Sequence, residues 1–178
     1  RIASLAGTGS AGLRLVLNAG IENESITGAT NDTLTAAQSI DASSFPLGPG
    51  ADRLTAVGTG TPSSIDTYSF AVTAGKRVSL VLASTTIGTS LSAARIDLLD
   101  ASGALVTSSE QKASIGGPAI SGFVPAASGT YYARVTGASG EYALDVTRGA
   151  WLVVDPATTV ASALPMSSAI SVFSDDFE

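Results

Sequence analysis

The sequence predicts an all-β protein, an antiparallel β-sandwich of jelly-roll type with about eight strands between residues 34 and 147. Three observations predict it. Short runs of residues alternate apolar and polar side chains, which is the period of a half-buried strand and not of a helix. Clusters of Gly, Pro, Asp and Ser interrupt these runs at intervals of roughly 8–14 residues. No connection between the runs is long enough to hold the crossover helix that a parallel sheet requires.

The strongest pair of strands lies in residues 128–146, SGTYYARVTGASGEYALDV. Tyr131, Ala133 and Val135 point one way, and Tyr142, Leu144 and Val146 form a second apolar face beyond a Gly-rich turn at residues 137–140. Glycine reaches positive φ without steric cost, so the stretch reads as a β-hairpin. Residues 66–72 and 77–82 read as another hairpin around Ala74-Gly75-Lys76, with Tyr68, Phe70, Val72, Val78, Leu80 and Leu82 inward. Residues 53–57, 96–99, 105–107 and 119–124 are the remaining strands, and residues 43–50 a Pro/Gly loop. Residues 34–40 fit either one helical turn or a short strand. The core is expected to hold Tyr68, Phe70, Val78, Leu80, Ile96, Leu98, Tyr131, Val135, Tyr142 and Leu144.

The ends read differently. Residues 1–21 form an N-terminal strand or hairpin extension in which Leu13, Leu15 and Leu17 alternate with Arg14 and Val16. Leu5-Ala6-Gly7 and Leu13, Leu15 and Leu17 fall on Val135-Thr136-Gly137 and Tyr142, Leu144 and Val146, as a second copy of the closing strand pair would. Two unrelated Gly-turned strand pairs are the alternative. The sandwich then occupies residues 22–150, beginning with a polar linker that carries Glu22 and Glu24, and residues 151–178 form a C-terminal extension with apolar pieces and an acidic end. The chain opens at Arg1 without an initiator Met, which reads as a processed product or a segment of something longer.

Composition removes several classes of function. The chain of 178 residues carries a formal charge of -6 and has only two lysines, Lys76 and Lys112, so it lacks the basic stripe that nucleic acid requires. No apolar run approaches the length of a membrane span. There is no histidine and no cysteine, which excludes a Ser-His-Asp triad, a Cys-His pair and the usual zinc ligands. Lys76 falls in a hairpin turn and Lys112 in a Ser-rich loop, both solvated, where a Ser-Lys pair would not be activated. Asp97, Asp100, Glu141 and Asp145 lie on strand faces or turns with no cleft between them, and Gly58-Thr59-Gly60 has no Gly-Lys-Ser/Thr behind it to make a phosphate loop. The chain is not expected to be an enzyme.

Several short signatures occur in order. Asn31-Asp32-Thr33 is followed by Ala37-Gln38, and Asp66-Thr67-Tyr68-Ser69-Phe70 leads to Val72, Ala74 and Gly75. Leu98-Leu99-Asp100-Ala101 leads to Gly103. Pro125 precedes Ser128-Gly129-Thr130-Tyr131-Tyr132 and Arg134-Val135, and Tyr142, Leu144 and Val146 close the set. In this order and spacing, roughly residues 27–150 resemble the bacterial pre-peptidase C-terminal domain family, and more distantly the collagen-binding domains of clostridial collagenases. The resemblance implies an eight-stranded, non-catalytic sandwich in secreted bacterial and archaeal proteins, usually C-terminal to a peptidase. It also implies a role in secretion, substrate attachment or surface display. Some relatives bind calcium at the linker that leads into the domain. There, carboxylates stand four and two positions before the linker asparagine, where this chain has Thr27 and Ala29. A calcium ion would therefore be left with Asn31, Asp32 and Asp66, while the spacing of Glu22 and Glu24 does not match. The favoured alternative is that Asn31 and Asp32 cap a turn and Asp66 accepts backbone hydrogens.

Two functions fit these readings. In the first, the chain is a structural or adhesive module at a bacterial or archaeal cell surface, joined to copies of itself or to neighbouring repeats by strand exchange through Leu13, Leu15 and Leu17. In the second, it is the C-terminal accessory domain of a secreted peptidase or other hydrolase. No cofactor is required in either. An extracellular polymer or protein ligand would meet Tyr132 and Arg134, which share an outward face, although an ordinary cross-strand contact explains that pair as well.

Overall fold

A computed structural model describes residues 16–86, 89–112 and 116–150 of the chain. Each run of alternating residues expected between residues 53 and 147 is a strand in it. The eight expected strands are β4 (Ala51–Gly60), β5 (Ile65–Val72), β6 (Val78–Ser84), β7 (Arg95–Leu99), β8 (Leu105–Ser108), β10 (Gly117–Phe123), β11 (Gly129–Thr136) and β12 (Gly140–Arg148). Four short ones join them: β1 (Gly20–Ile21), β2 (Gln38–Ser39), β3 (Phe45–Gly48) and β9 (Glu110–Lys112). The stretch after Thr33 is both of the things its sequence allowed, a 3-10 turn at Leu34–Ala36 and then β2. Part of the expected Pro/Gly loop is strand β3, paired with β4. One turn of helix, α1 (Glu24–Thr27), interrupts the linker.

The strands form two sheets. One runs β1-β4-β12-β6-β10-β9, with β3 also against β4, and the other runs β2-β5-β11-β7-β8. Both are mixed and not purely antiparallel, because β1 pairs with β4 and β2 with β5 in parallel. These two pairings need no crossover helix, since each short strand is only a length of linker laid along an exposed sheet edge. β1 also places Gly20 and Ile21 in the sandwich, residues assigned above to the N-terminal extension. Of the three leucines of that extension, Leu13 and Leu15 lie outside the described residues and Leu17 is 72% exposed. Residues 151–178 also lie outside the described residues.

All ten side chains expected in the core are buried, together with Leu54, Leu82, Ala133 and Val146. The connections differ from expectation. β11 pairs with β5 and β7, whereas β12 pairs with β4 and β6. The closing strand pair is thus not a hairpin but an arch from one sheet to the other. The stretch around Ala74-Gly75-Lys76 is another arch, since β5 and β6 belong to different sheets. The reason is physical. A hairpin and an arch both show two alternating strands around a Gly turn, each with one apolar face. Only the pairing partners tell them apart, and these come from elsewhere in the chain. The arch turn is tight: Gly137 has φ 68°, and a Cβ on it would meet the Ala93 carbonyl oxygen at 2.6 Å. β7 and β8, by contrast, do form a hairpin.

Candidate metal centre

At the end of the sandwich where β4 finishes and β5 and β12 begin, polar groups enter the core. Tyr68 and Tyr142 alternate inward from β5 and β12, so their phenol oxygens must find partners inside the protein. They find each other at 2.7 Å. Tyr142 donates to Asp66 Oδ2 at 2.7 Å, and Tyr68 donates to Glu22 Oε1 at 3.1 Å. Glu22 arrives from the linker because its amide donates to the Val57 carbonyl at 2.9 Å, extending the β1–β4 pairing by one residue. Its Oε2 accepts the Thr59 amide at 3.0 Å. Glu22 and Asp66 are 1% and 2% exposed. Glu24, the first residue of α1, is exposed, and its carboxylate comes within 4.8 Å of both the others.

Asn31 stands beside this cluster. Its carbonyl accepts the Thr67 amide at 2.9 Å, next to Asp66 in β5. The residue is 2% exposed, yet neither its Oδ1 nor its Nδ2 has a hydrogen-bond partner. Buried, unsatisfied polar atoms cost about 1–3 kcal/mol each, so an orphaned amide is unusual unless something else binds it.

The electrostatics point the same way. Burial, opposed by the Tyr142 hydrogen bond and reinforced by Glu22 and Glu24, pushes the Asp66 carboxyl up to about 7. Burial likewise raises both phenols far above their ordinary range, so they stay protonated. The two hydroxyls supply one hydrogen each for three oxygen–oxygen contacts, and Asp66 also hydrogen-bonds Glu22. The cluster is short of positive charge. It can keep a proton on the carboxyl pair, or its three carboxylates can hold a hard, oxygen-seeking cation.

The residues expected to bind calcium are therefore divided. Asn31 and Asp66 lie at the cluster, but Asp32 is exposed and is not among the converging carboxylates. Asp66 accepts a phenol hydrogen, not the backbone hydrogens of the alternative reading. Glu22 and Glu24, set aside above for their spacing, are the residues brought to Asp66. Linear spacing failed because the linker pairs with β4 before it turns through α1. The signal that pointed inward was the pair of core tyrosines, whose hydroxyls required an interior polar partner.

In the other expected patch, Arg134 is engaged with a carboxylate of the neighbouring strand. Arg134 Nη2 donates to Asp97 Oδ2 at 2.9 Å, directly across the β11–β7 ladder, and Arg95 Nε donates to the same carboxylate at 2.7 Å. Burial disfavours the Asp97 charge, but the hydrogen bonds from Ser108, Arg134 and Arg95 outweigh it and hold the carboxyl below its usual range. Tyr132 is half-buried.

Fold and site together define a two-sheet β-sandwich with an acidic cluster at the point where its linker enters. Residues 64–137, from the start of β5 to the turn after β11, match the family model of the bacterial pre-peptidase C-terminal domain, the family that the ordered motifs resemble. The match includes Asp66 and Tyr68 but ends before Tyr142 and begins after Glu22, Glu24 and Asn31. Among solved structures, the chain is similar to Aeromonas hydrophila PliG, a periplasmic lysozyme inhibitor of g-type lysozyme, with 15% identity and a TM-score of 0.42 over 63% of this chain and 96% of that one. That likeness is too distant to bear on function. No curated protein matches the chain.

Proposed function

We propose that the chain is a non-catalytic accessory module of a protein exported by a bacterial or archaeal cell, with its linker fastened to the sandwich by a calcium ion. The family match supports the accessory role and the location. The total absence of histidine and cysteine supports the lack of catalysis. The observation that carries the calcium reading is the convergence of Glu22, Glu24 and Asp66 beside a buried Asn31 amide with no partner. Glu22 and Asp66 would be the inner ligands, Glu24 the solvent-side one and Asn31 Oδ1 the neutral one. Calcium takes six to eight oxygens, so water would complete the set. Such an ion supplies positive charge and a link between linker and sheet, and no reaction.

The test is thermal unfolding of the full chain in calcium and in EDTA, with magnesium as comparator. At a calcium concentration about a hundred times Kd, binding adds about 2.7 kcal/mol and raises Tm by roughly 5–10 °C. Glu22→Gln and Asp66→Asn should lose that increment, and Asp32→Ala should keep it. Equal Tm in calcium and EDTA overturns the proposal.

A second reading, a structural or adhesive subunit joined to copies of itself by strand exchange, is favoured by the exposure of Leu17 and of Ile21 on edge strand β1. Sedimentation of the full chain and of Leu17→Asp tests it. A monomer at all concentrations refutes it.

A further inference from the structure

The sandwich is open along part of one side. β6 runs beside β10 as far as Phe123, but β9 lies along the other side of β10 only from Gly117 to Ala119. The strand before β9 is β8, which belongs to the opposite sheet. Over residues 120–123, β10 therefore has a strand on one side alone, and a cavity of about 310 Å³ opens there, lined by β8, β9 and β10. We infer that this open half of β10 is the docking site of the chain's own residues 151–154, Trp-Leu-Val-Val. This goes beyond the function proposed above and does not depend on calcium.

The surface calls for apolar cover. Phe123 packs against the core, with its ring 6.3 Å from that of Tyr131, but it is only partly buried. Val124, the next residue, is 48% exposed. Ile120 and Thr107 line the cavity beside them. A strand edge flanked by apolar side chains is a template for further pairing, and proteins cover such edges with another piece of chain.

The position of Ala150 names the occupant. Arg148 at the end of β12 is opposite Val78 of β6, and Val78 is opposite Phe123 of β10. The Gly149 amide continues that line by donating to the Arg77 carbonyl at 2.8 Å. Neighbouring strands lie about 4.8 Å apart, so β12 ends roughly 10 Å from Phe123. Ala150 is still buried. The four apolar residues that follow it span roughly 13 Å at about 3.3 Å each, enough to cross the end of β6 and lie on Phe123 and Val124. Asp155-Pro156 then closes the apolar run, and proline has no amide hydrogen to carry a ladder further. A segment tethered this closely has an effective concentration of about millimolar, so it outcompetes the same segment of a second copy in dilute solution.

Trp151 is the single tryptophan of the chain, so its fluorescence reads the inference directly. In the folded full chain its emission should be blue-shifted and shielded from acrylamide, relative to the same chain in urea. Nuclear Overhauser contacts should join its indole to the Val124 methyls. Val124→Asp should keep the circular dichroism of the sandwich but lose the blue shift and the shielding. Ile26→Asp, in the linker helix and 64% exposed, should lose neither. Dilution from about 100 to about 1 μM should leave the emission unchanged, because the tether sets the local concentration. Solvent-like emission in the folded wild type, a blue shift that survives Val124→Asp, or indole contacts only to residues away from β10 overturn the inference. Shielding that disappears on dilution overturns the assignment to the chain's own segment and gives the site to a second copy.

Discussion

Gly58→Ala should be among the most damaging single-methyl additions in this protein. Gly58 faces inward from β4, directly opposite Tyr142 in the β12 ladder. A Cβ there would lie 2.6 Å from both Cζ and Oη of Tyr142 and 2.7 Å from Oη of Tyr68. Neither ring can yield cheaply, because both are fully buried and their hydroxyls bind each other, Glu22 and Asp66. Overpacking a core costs about 1–3 kcal/mol. Each buried hydrogen bond pulled out of line adds about 1–3 kcal/mol. Alanine stiffens the unfolded chain and returns only about 0.4–1 kcal/mol. The net loss is therefore about 2–5 kcal/mol, or a Tm lower by roughly 10 °C for a chain of this size. Urea unfolding followed by circular dichroism measures it. Thr59→Ala, exposed one residue away, should stay within about 0.5 kcal/mol of wild type. Removing the hydroxyl in Gly58→Ala/Tyr142→Phe should restore only part of the loss, because the Cζ clash remains. If Gly58→Ala matches wild type within about 0.5 kcal/mol, the phenols are not held where the hydrogen bonds put them.

Leu80→Ala removes a fully buried side chain from β6 and should cost about 2–5 kcal/mol by urea unfolding, whereas Val106→Ala, on the exposed side of β8, should change little. Gly117→Ala would set a Cβ 2.2 Å from the Leu82 carbonyl oxygen, so hydrogen exchange should accelerate along the β6–β10 ladder and at the Leu91 amide, which donates to Gly116. Asp52 is held below the usual carboxylate range chiefly by its Arg148 hydrogen bond, so its contribution is present above the unfolded value of 3.8 and is lost as pH falls through the lower folded value. Stability should therefore decline on the acid side between about pH 5 and pH 2, and less steeply in Asp52→Asn.

What the sequence determined by itself was local. Alternation in residues 66–72, 77–82, 128–136 and 140–148 named the strands and their inward faces. Every side chain it assigned to the core is buried, because a period of two can hide its apolar half in only one way. The match of the family model over residues 64–137 agrees with the ordered motifs for the same reason: they are the turns and inward faces of those strands. Tertiary structure decided the rest. Whether a Gly turn makes a hairpin or an arch depends on which distant strand offers the better edge, so β11 and β12 went to opposite sheets. The acidic cluster was settled in the same way. Glu22 was a linker residue until its amide met the Val57 carbonyl, and Asp66, Tyr68 and Tyr142 come from two other strands that only the packed sandwich brings together. Spacing along the chain measures neither distance, because each was set by closing a long loop onto a sheet edge, whose entropic cost grows only slowly with loop length.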